Sequence, residues 1–216
     1  MNGAGGSGQE YSRRKLPRGF YARGALALAP ALLGKVLVHE APEGRTSGMI
    51  VEVEAYCGPH DRAAHSFGGR PTQRTRAMFG PPGRAYIFFV YGMHYCFNVV
   101  AAGRGQPEAV LVRALEPLEG VALMARRRRL PVRTARDLVR LTNGPGKLTA
   151  ALGINMDLYG ADLTGDRLFL EEGRPVDRDE IVASPRIGVT YAGEWADRPW
   201  RFSLRDNPYV SVPPRT

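Results

Sequence analysis

Residues 50–56 (Ile50-Val51-Glu52-Val53-Glu54-Ala55-Tyr56) read IVEVEAY. Aliphatic residues alternate with carboxylates, as in an extended strand whose side chains leave on opposite faces with a period of two. Val51, Val53 and Ala55 then share an apolar face, and Ile50, Glu52, Glu54 and Tyr56 share the other. One apolar face calls for a sheet, and the neighbouring runs supply it. KVLVHE predicts a strand over Lys35–His39, paired with SGMIVEVEAY across APEGRTSG. AYIFFVYGMHYCFNVVAA predicts two strands folded as a hairpin about Tyr91-Gly92-Met93-His94, and EAVLVRAL predicts one more strand.

Helix signals surround these runs. ALALAPALLG predicts a short helix over Leu26–Leu33. EPLEGVALMARRRR predicts one with Pro117 in its first turn. TARDLVRLTNG carries a capping pair, Thr134 and Asp137, and stops at Asn143-Gly144. PGKLTAALGI opens on Pro145 and ends near Gly153. CGPHDRAAHSFGGRPTQRTRAMFGPPGR is rich in Gly, Pro and Arg and predicts a loop with one helical turn at Asp61–His65. Short strands and turns are expected from Asp162 to Val212. No linker or repeat appears. The fold class is therefore α+β: a single compact domain, residues 18–216, around a curved antiparallel β-sheet with peripheral helices and a protruding β-hairpin. Residues 1–17, rich in Gly, Ser and charge, are expected to be a flexible tail.

The chain has 216 residues, 44% of them hydrophobic, enough for one core. Its net charge of +9 and pI of about 10.0 point to a polyanionic partner, either nucleic acid or an anionic membrane surface. Of 30 basic residues only Lys15, Lys35 and Lys147 are lysine. Arginine suits phosphate contacts, although genomic base composition would produce the same bias. The N-terminal SRRKLPRGF and ALALAPALLG imitate a signal segment, but Pro30 and Gly34 break the run. No stretch approaches the roughly 18 apolar residues of a membrane span. Cys57 and Cys96 form no C-x-x-C or zinc pattern and are expected to be reduced thiols in an intracellular protein. No metal and no cofactor are expected.

Several groups suggest chemistry. Arg126–Arg129 with Arg133, Arg136 and Arg140 reads either as a solvated helix face or as phosphate contact. The loop supplies Arg62, Arg70, Arg74, Arg76 and Arg84, and NGPGKL places Lys147 at a helix start that suits an anion. Of the hairpin aromatics, Phe89 and Phe97 are expected in the core. Tyr91, beside Gly92 at the tip, fits a wedge that enters a minor groove and unstacks a base step. Glu52 is expected to be exposed or ion-paired. Glu54 stands with Tyr56 and with His65 on the next loop. A carboxylate beside flat rings is the combination that nucleoside hydrolysis requires: stacking contributes about 1–3 kcal/mol per base, and the carboxylate activates a water.

IVEVEAYCGPHDRAAHSFGGR, YIFFVYGMHYCFNV, VLVRALEPLEG, NGPGKL and RIGVTYAGEWADRPWRF resemble, in order and from about Arg18 onward, the alkyladenine (3-methyladenine) DNA glycosylase family of mammalian type. The resemblance implies a monofunctional base-excision-repair enzyme. Such an enzyme flips alkylated or deaminated purines (3-methyladenine, 7-methylguanine, hypoxanthine, ethenoadenine) out of duplex DNA and hydrolyses the N-glycosidic bond. It implies that Glu54 is the general base, with Arg113 near the catalytic water. Tyr56 and His65 would lie on the two faces of the base. The third aromatic wall is Phe88, where the family's best-known members have tyrosine. Asn98 would exclude the exocyclic amino group of guanine. Tyr91, with Met93, would intercalate, and Arg70, Thr72 and Lys147 would meet phosphates. The expected partner is damaged double-stranded DNA, bound by a monomer located with the DNA, in the cytoplasm or nucleoid if bacterial. A non-catalytic minor-groove protein would share the basic surface and the wedge but has no need of Glu54. A zinc deaminase would need His/Cys ligands, and a nuclease a carboxylate cluster; the sequence has neither.

Overall fold

The computed structural model describes residues 12–90 and 92–214. Strand β3 (Gly44–Tyr56) is its axis. β2 (Val36–Ala41) and β9 (Arg201–Leu204) pair with successive parts of one edge of β3, and β6 (Glu108–Glu119) pairs with the other. β5 (His94–Ala101) and β4 (Ala85–Val90) extend the sheet beyond β6 as the hairpin. β7 (Leu168–Gly173) and β1 (Ser12–Lys15) extend it beyond β2, and β8 (Ile181–Ser184) adds to β9. Every one of these pairings is antiparallel.

Helices cover this sheet. The short α1 (Arg18–Tyr21) precedes α2 (Ala25–Leu32), which packs on β3 and β6. After β6 come α3 (Val121–Arg128), α4 (Ala135–Thr142) and α5 (Pro145–Leu152), the last lying on β5 and β6. Leu28, Leu32, Val53, Phe97, Val112 and Leu148 meet between the layers, essentially without solvent contact. Each such large side chain contributes about 1.5–3 kcal/mol by burial. Among the described residues no helix is long and apolar enough to cross a membrane.

Local signals placed most elements. Thr134 and Asp137 form the capping box of α4, Pro145 opens α5, and Gly153 closes it at φ 73°. The structure corrects other expectations. The tail reading fails over residues 12–17. Ser12–Lys15 is an edge strand on β7, Arg14 pairs with Glu172 and Lys15 with Asp166, and Leu16 is buried. Charges taken as signs of disorder are matched by acids far along the chain. Residues 1–11 lie outside the described part.

Pro117 is not in a helix but in β6, opposite Gly48. β5 covers β6 only as far as Leu111, so beyond that point one edge is open, the place where a strand tolerates proline. Gly120 then turns the chain at φ 75°, where a Cβ would come within 2.3 Å of the Arg45 carbonyl. A short helical turn lies at Gly58–His60, and where one was expected, from Asp61, the chain makes a single hydrogen-bonded turn, Ala64 N–H to the Asp61 carbonyl (2.9 Å). The Asp61 carboxylate ties the two together by accepting the N–H groups of Cys57 and Ala63.

The IVEVEAY alternation also needs correction. Ile50 pairs with Leu115 and Glu52 with Ala114, leaving Val51 extra on β3. Val53 pairs with Val112, leaving Arg113 extra on β6. Two compensating bulges therefore sit back to back. Ile50 joins Val51, Val53 and Ala55 in the core rather than sharing a face with the glutamates.

Candidate active site

A pocket of about 320 Å³ opens where β3, β6, the hairpin, the loop after β3 and residues 187–191 converge. It lies within the range of small-molecule sites. Glu54, Tyr56, His65, Phe88, Asn98 and Arg113 all line it, so the fold brings together six residues dispersed over some sixty positions of sequence.

Glu54 forms the back wall and is fully buried. Tyr56 Oη donates to its Oε2 (2.9 Å) and the Ile187 N–H to its Oε1 (2.8 Å). Arg113 Nη1 stands 3.3 Å from Oε1. A carboxylate offers about four lone-pair sites. Among the described residues two donors and one ion-paired guanidinium meet it. Burial, and then the charge of Glu54, push the Tyr56 phenol well above its ordinary value, so it remains a donor. Glu52, also fully buried, is ion-paired to Arg113 Nε and Arg201 Nη1, each at 3.0 Å. The ion-paired alternative therefore holds for Glu52, without the exposure.

The aromatic walls come from β3, β4 and the loop. Arg186 braces Tyr56. Its guanidinium lies 4.8 Å from the Tyr56 ring and 5.0 Å from that of Trp200, and it holds Asp61 with two hydrogen bonds (2.5 and 2.9 Å). The same Asp61 anchors the loop that carries His65. His65 Nδ1 shares a hydrogen bond with Tyr86 Oη (2.8 Å), and its ring stands 4.5 Å from Phe88, edge to face. Arg74 Nη2 lies 3.3 Å from His65 Nε2 and also covers the Phe88 ring. His65 keeps one exposed flank, yet desolvation by the wall, and then Arg74, push its imidazole down to about 4. It is therefore neutral near pH 7. Asn98 is buried and donates to the Tyr86 carbonyl (3.1 Å). Burial raises the Cys57 and Cys96 thiols to about 12 and about 11, as suits unreactive reduced cysteines.

Other expected residues stand apart from the pocket. Met93 is 70% exposed at the hairpin tip, and Tyr91 lies outside the described residues. Phe89 is not core: it is half exposed, beside Tyr95, because β4 runs past the layer that covers Ile87. Phe97 is core. Arg70 and Thr72 lie exposed on the loop, and the Thr72 hydroxyl caps the turn at Thr75. Lys147 Nζ donates to Asn143 Oδ1 (2.8 Å), while its neighbours Pro145 and Gly146 reach the pocket. Burial, and then Arg128 and Arg140, lower its pKa.

Sequence reading missed Tyr86, His94 and the Ile187 N–H. Tyr86 was detectable, since it shares a strand face with Phe88. Ile187 acts through its backbone, which carries no signal in residue type.

The family model for methylpurine-DNA glycosylase matches residues 19–208. A protein of Clostridium acetobutylicum is 50% identical over 201 residues, covering 92% of this chain and 98% of its own length. One of Desulfitobacterium hafniense is 50% identical over 202 residues, covering 92% and 99%. One of Bacillus cytotoxicus is 49% identical over 203 residues, covering 91% and 99%. Each of the three bears the name "Putative 3-methyladenine DNA glycosylase".

Proposed function

The chain belongs to the methylpurine-DNA glycosylase family, and on that premise we propose that it excises alkylated and deaminated purines from duplex DNA by hydrolysis directed from Glu54. The observation that carries this reading is a fully buried carboxylate at the back of an aromatic-lined pocket, braced by Arg113, the Tyr56 hydroxyl and the Ile187 N–H.

The steps follow from the groups present. Exposed arginines of the loop, with Lys147, engage phosphates as the protein scans DNA. The damaged nucleotide rotates out of the stack at a cost of a few kcal/mol, least for a damaged or mispaired base. Tyr91 and Met93 take its place. Tyr56, His65 and Phe88 hold the base, and a cationic alkylpurine gains from their π-faces. As the glycosidic bond stretches, its electron pair leaves with the purine and the sugar becomes oxocarbenium-like. Glu54 takes a proton from the water that attacks the sugar carbon, and the negative carboxylate offsets the developing charge. A cationic alkylpurine leaves as a neutral base, whereas a neutral one such as hypoxanthine leaves as an anion that takes up a proton from water. An abasic site and free base result. A lyase step would require a nucleophilic amine, and no lysine lines the pocket among the described residues, which supports a monofunctional enzyme.

The test uses duplex oligonucleotides carrying 3-methyladenine, 7-methylguanine, hypoxanthine or ethenoadenine, scored for alkali-labile sites. The wild type should convert at least one of them. Glu54→Gln should bind the same duplex with near-native affinity and lose about 10²-fold or more in single-turnover rate. A variant retaining over about a tenth of the rate would place the base elsewhere.

A further inference from the structure

Glu52 lies two residues from Glu54 and does not line the pocket, yet it is just as deeply buried. Its Oε1 accepts from Arg113 Nε and Arg201 Nη1, each at 3.0 Å, and its Oε2 accepts the Ser211 N–H at 2.7 Å. Arg113 completes the circuit: Nη1 faces Glu54 and Nη2 donates to Ser211 Oγ (3.3 Å). Arg201 donates to the Val212 carbonyl (2.7 Å) and to the Pro185 carbonyl (3.1 Å), two residues before the N–H that binds Glu54. Both supports of Glu54 that lie outside its own strand, the Arg113 guanidinium and the 185–187 backbone, therefore lead back to Glu52 and Arg201.

We infer that Glu52, locked by the Ser211 N–H of the C-terminal segment, is the positioning group that sets Arg113 against Glu54. The backbone explains the need. Arg113 is the extra residue of a bulge and has no partner opposite it on β3. Bulges re-aim a side chain, but ladder register does not then fix where it points. A buried carboxylate on Nε does. Two carboxylates and two guanidiniums balance in charge, so Arg113 is shared between Glu52 and Glu54 rather than bound to Glu54 alone. The C-terminal segment closes this arrangement from behind and so bears on a reaction it never touches. The inference rests on Glu54 being the base.

The experiment compares Glu52→Gln, Ser211→Pro and Ser211→Ala in the full chain, measuring single-turnover excision of a hypoxanthine duplex and the dissociation constant for the same duplex, with active enzyme counted by titration. The charged and titratable groups facing Glu54 are Arg113 from β6, Tyr56 from its own strand, Cys96 from β5, Arg186 from the segment after β8, and Glu52 with Arg201 behind. Of these, Glu52→Gln changes only one. Removing its charge weakens the hold on Arg113 Nε and lets the guanidinium shift from its place against Glu54. The single-turnover rate should fall about 10–100-fold. The dissociation constant for lesion DNA should stay within about twofold. Ser211→Pro removes the N–H and should act in the same direction; Ser211→Ala keeps it and should act least. If Glu52→Gln does not fold, Ser211→Pro decides the matter. A parallel loss of DNA binding, or an equal fall in rate for Ser211→Ala and Ser211→Pro, would overturn the positioning role. So would wild-type rates in Glu52→Gln and Ser211→Pro beside an inactive Glu54→Gln. An active Glu54→Gln would instead overturn the base assignment.

Discussion

The back and the mouth of the pocket are built on opposite principles. Behind Glu54, charges are sealed from water and balanced pair by pair: Glu52 and Glu54 against Arg113 and Arg201, and Asp61 against Arg186. At the mouth, Arg70, Arg74 and Arg76 are exposed, with no acidic partner among the described residues, and Met93 and Phe89 are open to solvent. Buried charges are costly unless paired and hydrogen-bonded, so the back must be complete before any ligand arrives. Exposed cations cost little in water, so the mouth needs no such pairing. Substitutions should divide the same way.

The sharpest break is expected at the back. Asp61→Asn leaves the buried Arg186 guanidinium uncompensated and should lower the unfolding free energy by about 3–5 kcal/mol, the usual result of removing one partner of a buried pair. Urea titration measures it, and a loss below about 1 kcal/mol would mean that water reaches the site.

Tyr91→Ser should cost about 1–3 kcal/mol in duplex excision through lost stacking. In a single-stranded substrate there is little stack to replace. The ratio of duplex to single-strand rates under sub-saturating enzyme isolates the wedge; an equal fall in both would assign Tyr91 to the pocket.

Asn98 sits between the two regions. Asn98→Ala removes the bond to the Tyr86 carbonyl, worth about 1 kcal/mol, and should raise excision of undamaged guanine relative to hypoxanthine. An unchanged ratio would leave Asn98 with its structural bond alone.

The smallest effect is a pH dependence. The His65 imidazole is lowered from 6.5 to about 4. Above pH 6.5 the ring is neutral in both folded and unfolded chains and costs nothing. As pH falls from 6.5 to about 4, the unfolded chain binds the proton first and stability declines. The exposed flank of the ring keeps the decline shallow. Urea midpoints of wild type and His65→Gln between pH 7 and pH 4 should diverge at neutral pH and converge on acidification. Constant separation would remove His65 as the source.

Much of this molecule is legible in its residues, because many decisive interactions are local. The capping box of α4, Pro145 and Gly153 around α5, and the alternation of Tyr86 with Phe88 each depend on neighbours a few positions away. So does the pairing of Glu54 with Tyr56, whose hydroxyl returns to the carboxylate on the same strand face. What tertiary structure decided depends on partners that no spacing reveals. Ser12–Lys15 becomes a strand only because β7 offers an edge and its acids. Ile50 turns into the core, and Arg113 toward Glu54, only because two bulges face each other across β3 and β6. One donor to Glu54 is a backbone N–H from 133 residues away, and every residue but proline has one. Residue type records the chemistry a side chain carries; it does not record which remote backbone group, or which break in a strand ladder, the fold will bring to it.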